Sequence, residues 1–199
     1  MSQSDCSGKT LKLWPVFVDH FTVIHLRQAQ HSDADAIAHL HTAGWRDTYT
    51  KVMSADFLEN QAQKDRLSHW RSALNQSNES ETVFVAEYDG KVEGFICIKL
   101  HYDAQWGCYI DSLHVSSSLR GHGVGKQLLC RAAEWVKSRD DESPLYLWVF
   151  EDNTQATAFY QRLGGTIVER TLSDMPSSDH APVFRISWKN AGQLLVSAC

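Results

Sequence analysis

No apolar run in this 199-residue chain is long enough to cross a membrane. The most apolar stretch near the start, LWPVFV at residues 13–18, is short and is interrupted by Pro15, Asp19 and His20. No small-residue cleavage site follows it, so a cytoplasmic location is expected. The five cysteines are odd in number and contain no CxxC pair, which excludes a disulfide framework and points to free thiols. Zinc-type spacing is missing despite ten histidines. The nearest cluster, His31, His39 and His41, does not bring three ligands onto one helical face, so no metal is expected. A basic excess is also lacking. Nineteen Lys and Arg against twenty-four Asp and Glu give a net charge of −5, which argues against nucleic acid as the main partner and suits a small cationic or amine substrate. Without repeats, biased tracts or a long linker, the chain reads as one α/β domain over residues 22–190. An N-terminal extension (1–21) precedes it and a C-terminal tail (191–199) follows.

The elements within that domain follow from periodicity and punctuation. TVIHLRQ (22–28) reads as a strand. Ser32 and Asp35 form an S-x-x-D capping pattern before a helix carrying Ile37, Leu40 and Trp45. A second helical stretch spans about 54–74. TVFVAEY (82–88) and KVEGFICIKL (91–100), joined by Asp89-Gly90, read as a hairpin. A loop over 101–105 leads to the strand CYIDSLHV (108–115). An amphipathic helix carries Leu128, Leu129, Ala132, Trp135 and Val136. LYLWVF (145–150) follows, then a short helix capped by Asn153 or Thr154 and closed by Gly164. Strands at 166–170 and 183–188 complete the domain.

Between the strand ending at Val115 and the amphipathic helix lies Arg120-Gly121-His122-Gly123-Val124-Gly125-Lys126. Glycines there allow tight backbone turns, and a helix N-terminus offers unpaired amides to an anion. A dinucleotide fingerprint would need glycine at position 126, which is Lys126. A P-loop would need glycine at 120 and Ser or Thr at 127, where Arg120 and Gln127 stand. What remains is the pattern Arg-x-x-Gly-x-Gly at Arg120, Gly123 and Gly125. With IDSLHV before it and LLCRAAEWV after it, this segment resembles the central motif of the GNAT superfamily of N-acetyltransferases. LYLWVFEDNTQATAFYQRLGGTIVE resembles the next segment of that family.

The resemblance implies a mixed, mostly antiparallel sheet flanked by about four helices, and transfer of an acetyl group from acetyl-CoA to a primary amine within a ternary complex. By the same resemblance, the strand end at Leu113, His114 and Val115 pairs with the pantetheine arm, and a backbone N–H at Val115 or a neighbour polarises the thioester. The segment Arg120, Gly121, His122, Gly123, Val124, Gly125 and Lys126 holds the pyrophosphate, and Asn153 bonds the pantetheine arm as well as capping its helix. Tyr160 would protonate the departing thiolate, although its stripe with Ala156, Phe159 and Leu163 equally suits core packing. For the general base Asp111 is the first candidate, ahead of His114 and Glu93. Asp111, Leu113 and Val115 are expected on one face, which leaves a structural role open. Trp45, Arg46 and Tyr49, with Trp106, are candidate walls for the acceptor, which is expected to be a small-molecule or peptide amine. A homodimer is carried as the assembly to test. The alternatives are a non-catalytic acyl-CoA sensor and an enzyme for another acyl-CoA.

Overall fold

The structure, a computed structural model, describes residues 23–76 and 78–198; the expected extension 1–21 lies outside them. Seven strands are laid down: β1 (His25–Gln28), β2 (Glu81–Tyr88), β3 (Lys91–Asp103), β4 (Gly107–Val115), β5 (Leu145–Phe150), β6 (Thr166–Leu172) and β7 (Pro182–Trp188). They form one sheet in the order β1-β2-β3-β4-β5-β7-β6. Every adjacent pair is antiparallel except β4–β5. The helices are α1 (Ala34–Thr48), α2 (Ala62–Ala73), α3 (Val124–Lys137), α4 (Thr154–Arg162) and α5 (Ala191–Ala198). The mixed, mostly antiparallel architecture is the one expected, with five α-helices among the described residues.

The sheet carries a core on each face. Ile96 and Ile98 of β3 pack with Leu128, Leu129 and Ala132 of α3, while Phe95 and Cys97 pack with Ile37 and Ala38 of α1 and Trp70 of α2. That split is the period-2 alternation of a strand covered on both sides. The β2–β3 turn has positive φ at both Asp89 (50°) and Gly90 (70°), the backbone that matches the twist of a two-residue hairpin.

Four local expectations are corrected. The segment 191–199, read as a tail, instead forms α5 up to Ala198, with Ala191, Leu194 and Ala198 buried beside α3. An eight-residue helix is too short to hold itself, so only tertiary packing makes it. The Ser32–Asp35 cap does not form. Asp33 accepts from the Gln30 amide at 2.7 Å and from both terminal nitrogens of Arg27, while Asp35 turns to Arg71. The 101–105 loop is shorter than expected, because β3 runs to Asp103. Cys97 and Cys108 are free and buried, whereas Cys130 is disulfide-bonded.

Candidate active site

β4 and β5 pair only at Cys108↔Leu145 and Tyr109↔Tyr146. The stacked rings of Tyr109 and Tyr146 (centroids 5.0 Å apart) mark the apex, and beyond them the strands part around a cleft of about 1220 Å³. A register shift follows the start of the parting: Ile98 pairs with Ile110 but Cys97 pairs with Ser112, so Asp111 is the extra residue of a β-bulge. This overturns the expected alternation. Asp111 receives Lys99 on the face of α1 and α2, while Leu113 and Val115 pack on the face of α3.

One arm of the cleft is made of backbone. Ser116 N–H donates to Glu93 at 2.8 Å. Antiparallel alternation then turns the N–H and C=O of Val115 and Leu113 away from β3, into the gap where β5 no longer supplies partners. Gly123 is the N-cap of α3, with a left-handed φ of 79° and no side-chain cap. The first helical bond is Gln127 N–H to Gly123 at 3.0 Å, which leaves the amides of Val124, Gly125 and Lys126 without intrahelical acceptors. Gly125 runs beside the cleft wall: a Cβ there would sit 3.6 Å from Phe159 and 3.7 Å from Val115. Arg120 reaches the Val115 carbonyl at 3.3 Å and forms an ion pair with Asp47 of α1. His122 does not join the lining; it lies exposed with Nδ1 against the Arg120 carbonyl, 3.1 Å away.

Asn153 and Tyr160 enter from the β5 side. Asn153 Oδ1 caps α4 by accepting from Ala156 N–H at 3.1 Å, and its side chain also reaches the Tyr49 hydroxyl. Tyr160 is 9% exposed, with its ring between Phe159 and Trp188. Among the described residues no group bonds its hydroxyl, which lines the cleft. Burial, reinforced by nearby Tyr49, pushes this phenol well above its ordinary range, so it stays protonated.

The other arm is made of side chains from α1, α2 and β4. Trp45 and Tyr49 line it. Arg46 does not: it donates to the carbonyls of Leu58 (2.7 Å) and Glu59 (3.1 Å), which belong to the π-helical turn Phe57–Gln61 before α2. Widened turns displace carbonyls from the helical ladder, and the guanidinium satisfies them. Trp106 is also outside the cleft, its indole covering the Arg185 guanidinium at 4.5 Å. Glu93 lies away from the cleft. Asp111 does line it, yet its carboxylate is committed to Lys99 (3.1 Å) and to the Ser112 hydroxyl (2.9 Å).

His41, Arg66 and His69 complete this arm; the sequence offered none of them as a substrate contact, and His41 was weighed only as a metal ligand. His41 accepts from Trp70 Nε1 at 3.1 Å through Nδ1, and its ring lies 4.5 Å from that of His114, which stacks on Phe95. Gly44 makes room for this, since a Cβ there would come within 2.5 Å of His114 Nδ1. Burial pushes His114 down to about 4, and the charges of Arg120 and Arg66 act the same way. His41 and His69 are lowered by burial first, with Arg66 contributing to both. The only signal for this arm was four-residue spacing, which puts His41, Trp45 and Tyr49 on one side of a helix.

Residues 35–165, more than half of the chain, match the model of the acetyltransferase (GNAT) family. The chain is 28% identical over 142 residues to an uncharacterised N-acetyltransferase, YuaI, of Bacillus subtilis, covering 70% of this chain and 78% of that one. It is 25% identical to a probable N-acetyltransferase, Rv2775, of Mycobacterium tuberculosis, over 78% of this chain and 87% of that one. Among solved structures, the PaiA N-acetyltransferase of Thermoplasma acidophilum in complex with coenzyme A shares the fold, with a TM-score of 0.68 and 20% identity over 84% of this chain and 99% of that one. So does YncA of Salmonella typhimurium, a putative acetyltransferase with its cofactor acetyl-CoA (TM-score 0.62, 16% identity, 84% and 94% covered). The parted strands, the uncapped glycine-led helix and the matched residues agree: this chain belongs to the GNAT family of acetyltransferases.

Proposed function

We propose that the protein transfers the acetyl group of acetyl-CoA directly to a primary amine held in the same cleft. The carrying observation is the convergence of three unsatisfied features: the edge groups of Leu113 with the Val115 N–H, the free amides at the start of α3, and the unpartnered Tyr160 hydroxyl. Buried polar groups seldom go without partners, so a ligand with an amide-bearing arm and a pyrophosphate fits this set. When bound, acetyl-CoA supplies an activated acetyl thioester. The amides of Val124, Gly125 and Lys126 hold its pyrophosphate, helped by the Lys126 side chain. Leu113 and Val115 pair with the pantetheine arm as an added strand would. The Val115 N–H polarises the carbonyl, and Tyr160 donates its proton to the departing sulfur.

The acceptor must lose a proton first, since a free alkylamine has a pKa of roughly 10. Asp111, ion-paired to Lys99, shapes the wall rather than taking that proton. The acceptor enters as the neutral amine instead, because the burial and cationic charge that keep His41, His69 and His114 neutral also disfavour an ammonium ion. Neither Cys97 nor Cys108 lines the cleft, which supports transfer without an acyl-enzyme. Initial rates with both substrates varied test this reading. Intersecting double-reciprocal plots are expected; parallel plots, or acetyl-CoA binding without turnover of any amine, would refute it.

A further inference from the structure

The amine arm of the cleft carries a positive charge with no obvious use in the transfer itself. Arg66 of α2 lines the cleft, its guanidinium 4.6 Å from the ring centroid of Trp45. Only 17% of its side chain is exposed. Its Nε and Nη2 both go to a single oxygen of Asp65, at 2.8 Å and 2.6 Å, and Asp65 does not line the cleft. Among the described residues Nη1 has no protein acceptor. A guanidinium held over an indole with one edge spare is pre-organised to take an oxyanion.

Asp65, its carboxylate partner, lies outside the cleft, and among the described residues nothing inside the cleft adds a second negative charge on that side. His69, one turn from Arg66 on α2, and His41 and His114 behind it are held neutral. Asp111 is neutralised by Lys99 at 3.1 Å. The remaining cleft-lining carboxylate, Asp174, belongs to the segment between β6 and β7, on the far side of β5 in the sheet order. A simple alkylamine would leave the Arg66 edge unsatisfied, and a polyamine would set a second cation against it.

Resting on the acetyltransferase reading above, we infer that the acceptor is a small amine that also bears a carboxylate, with Arg66 binding that carboxylate while the amine faces Val115 and Tyr160. Charge selection at the acceptor end therefore opposes what the net charge of −5 suggests for the whole chain.

The test measures CoA release with paired acceptors: α-, β- and γ-amino acids, the matching amino amides, and diamines. At least one amino acid is expected to exceed its amide at least tenfold in kcat/KM. Arg66→Gln should erase that ratio by raising KM for the acid at least tenfold while changing the amide less than threefold; Arg66→Lys should restore part of it. Acetyl-CoA affinity of each variant, measured by calorimetry, reports whether the variant is folded. Equal use of acids and amides, a preference for diamines, an acid/amide ratio that survives in Arg66→Gln, or no turnover of the whole panel by protein that binds acetyl-CoA would each overturn the inference. Failure of the wild-type protein to bind acetyl-CoA would instead sink the acetyltransferase reading.

Discussion

The two arms of the cleft are built from different materials. The arm proposed to hold the donor is backbone: strand-edge groups at Leu113 and Val115 and the first amides of α3. The arm proposed to hold the acceptor is side chain: Trp45, Arg66, His41, His69 and His114, brought together from α1, α2 and β4. Backbone recognition needs particular conformations, so it constrains sequence through glycine and tolerates much change around it. Side-chain recognition needs particular residues at contacts distant in sequence, such as the His41–Trp70 hydrogen bond across 29 positions.

The comparison breaks most sharply at Gly123. Its φ of 79° disfavours any branched side chain, so Gly123→Val should reorient the amides of α3. Acetyl-CoA affinity is expected to fall at least about 100-fold, equivalent to roughly 3 kcal/mol, with little change in the far-ultraviolet dichroism. Calorimetric titration checks this, and unchanged affinity would mean that the amides are not the anion site. Tyr160→Phe comes next. It should lower kcat by about 100-fold, the low end for loss of a general acid, while acetyl-CoA affinity stays within twofold. Because its phenol is held protonated, the wild-type rate should also show no decline from Tyr160 up to about pH 10.

On the acceptor arm, Gly44→Val drives a side chain into His114 and should raise acceptor KM by about tenfold, with a stability loss of about 1–3 kcal/mol from overpacking. Acetyl-CoA affinity should move far less, and an equal loss on both sides would erase the distinction between the arms. The histidines set a pH window. His114, depressed to about 4, favours the folded state while neutral, so the unfolded chain binds more protons below about pH 6.5. Its contribution, at most about 3 kcal/mol, is complete above that pH and is lost as pH falls toward 4. Urea melts at pH 7 and 5 should show the drop, and His114→Gln should shrink it. The smallest effect belongs to Asp47→Asn, which removes an exposed partner of Arg120. Stability should change by less than about 1 kcal/mol, with acetyl-CoA binding unchanged or slightly tighter.

This division also explains what could be read in the chain beforehand. Gly123 and Gly125 announce their conformational duty at fixed spacing, and Asn153 and Tyr160 lie within one short helix segment. The donor arm is therefore local in sequence and legible. Arg66 and His69 look like ordinary polar positions on a weakly amphipathic helix, and nothing nearby marks them as facing a cleft. Trp106 and Arg46 failed for the same reason: whether an aromatic covers Arg185 or a pocket, and whether an arginine serves a ligand or the carbonyls of a π-helical turn, depends on residues outside the local segment. α5 was missed because its eight residues carry too few turns to show a pattern and owe their helix to the groove they fill.

The last residues of β4 have an evolutionary corollary. Beyond the bulge at Asp111, one strand offers main-chain edges to one proposed substrate while His114 faces the other. Acceptor-facing side chains can then be exchanged without disturbing the edge that grips the donor. Deleting Asp111 would restore a regular ladder that keeps Leu113 opposite Ile96 and His114 opposite Phe95, and would remove only the carboxylate held by Lys99. The strand thus separates a reusable chemistry, on its edge, from a replaceable specificity, on its face.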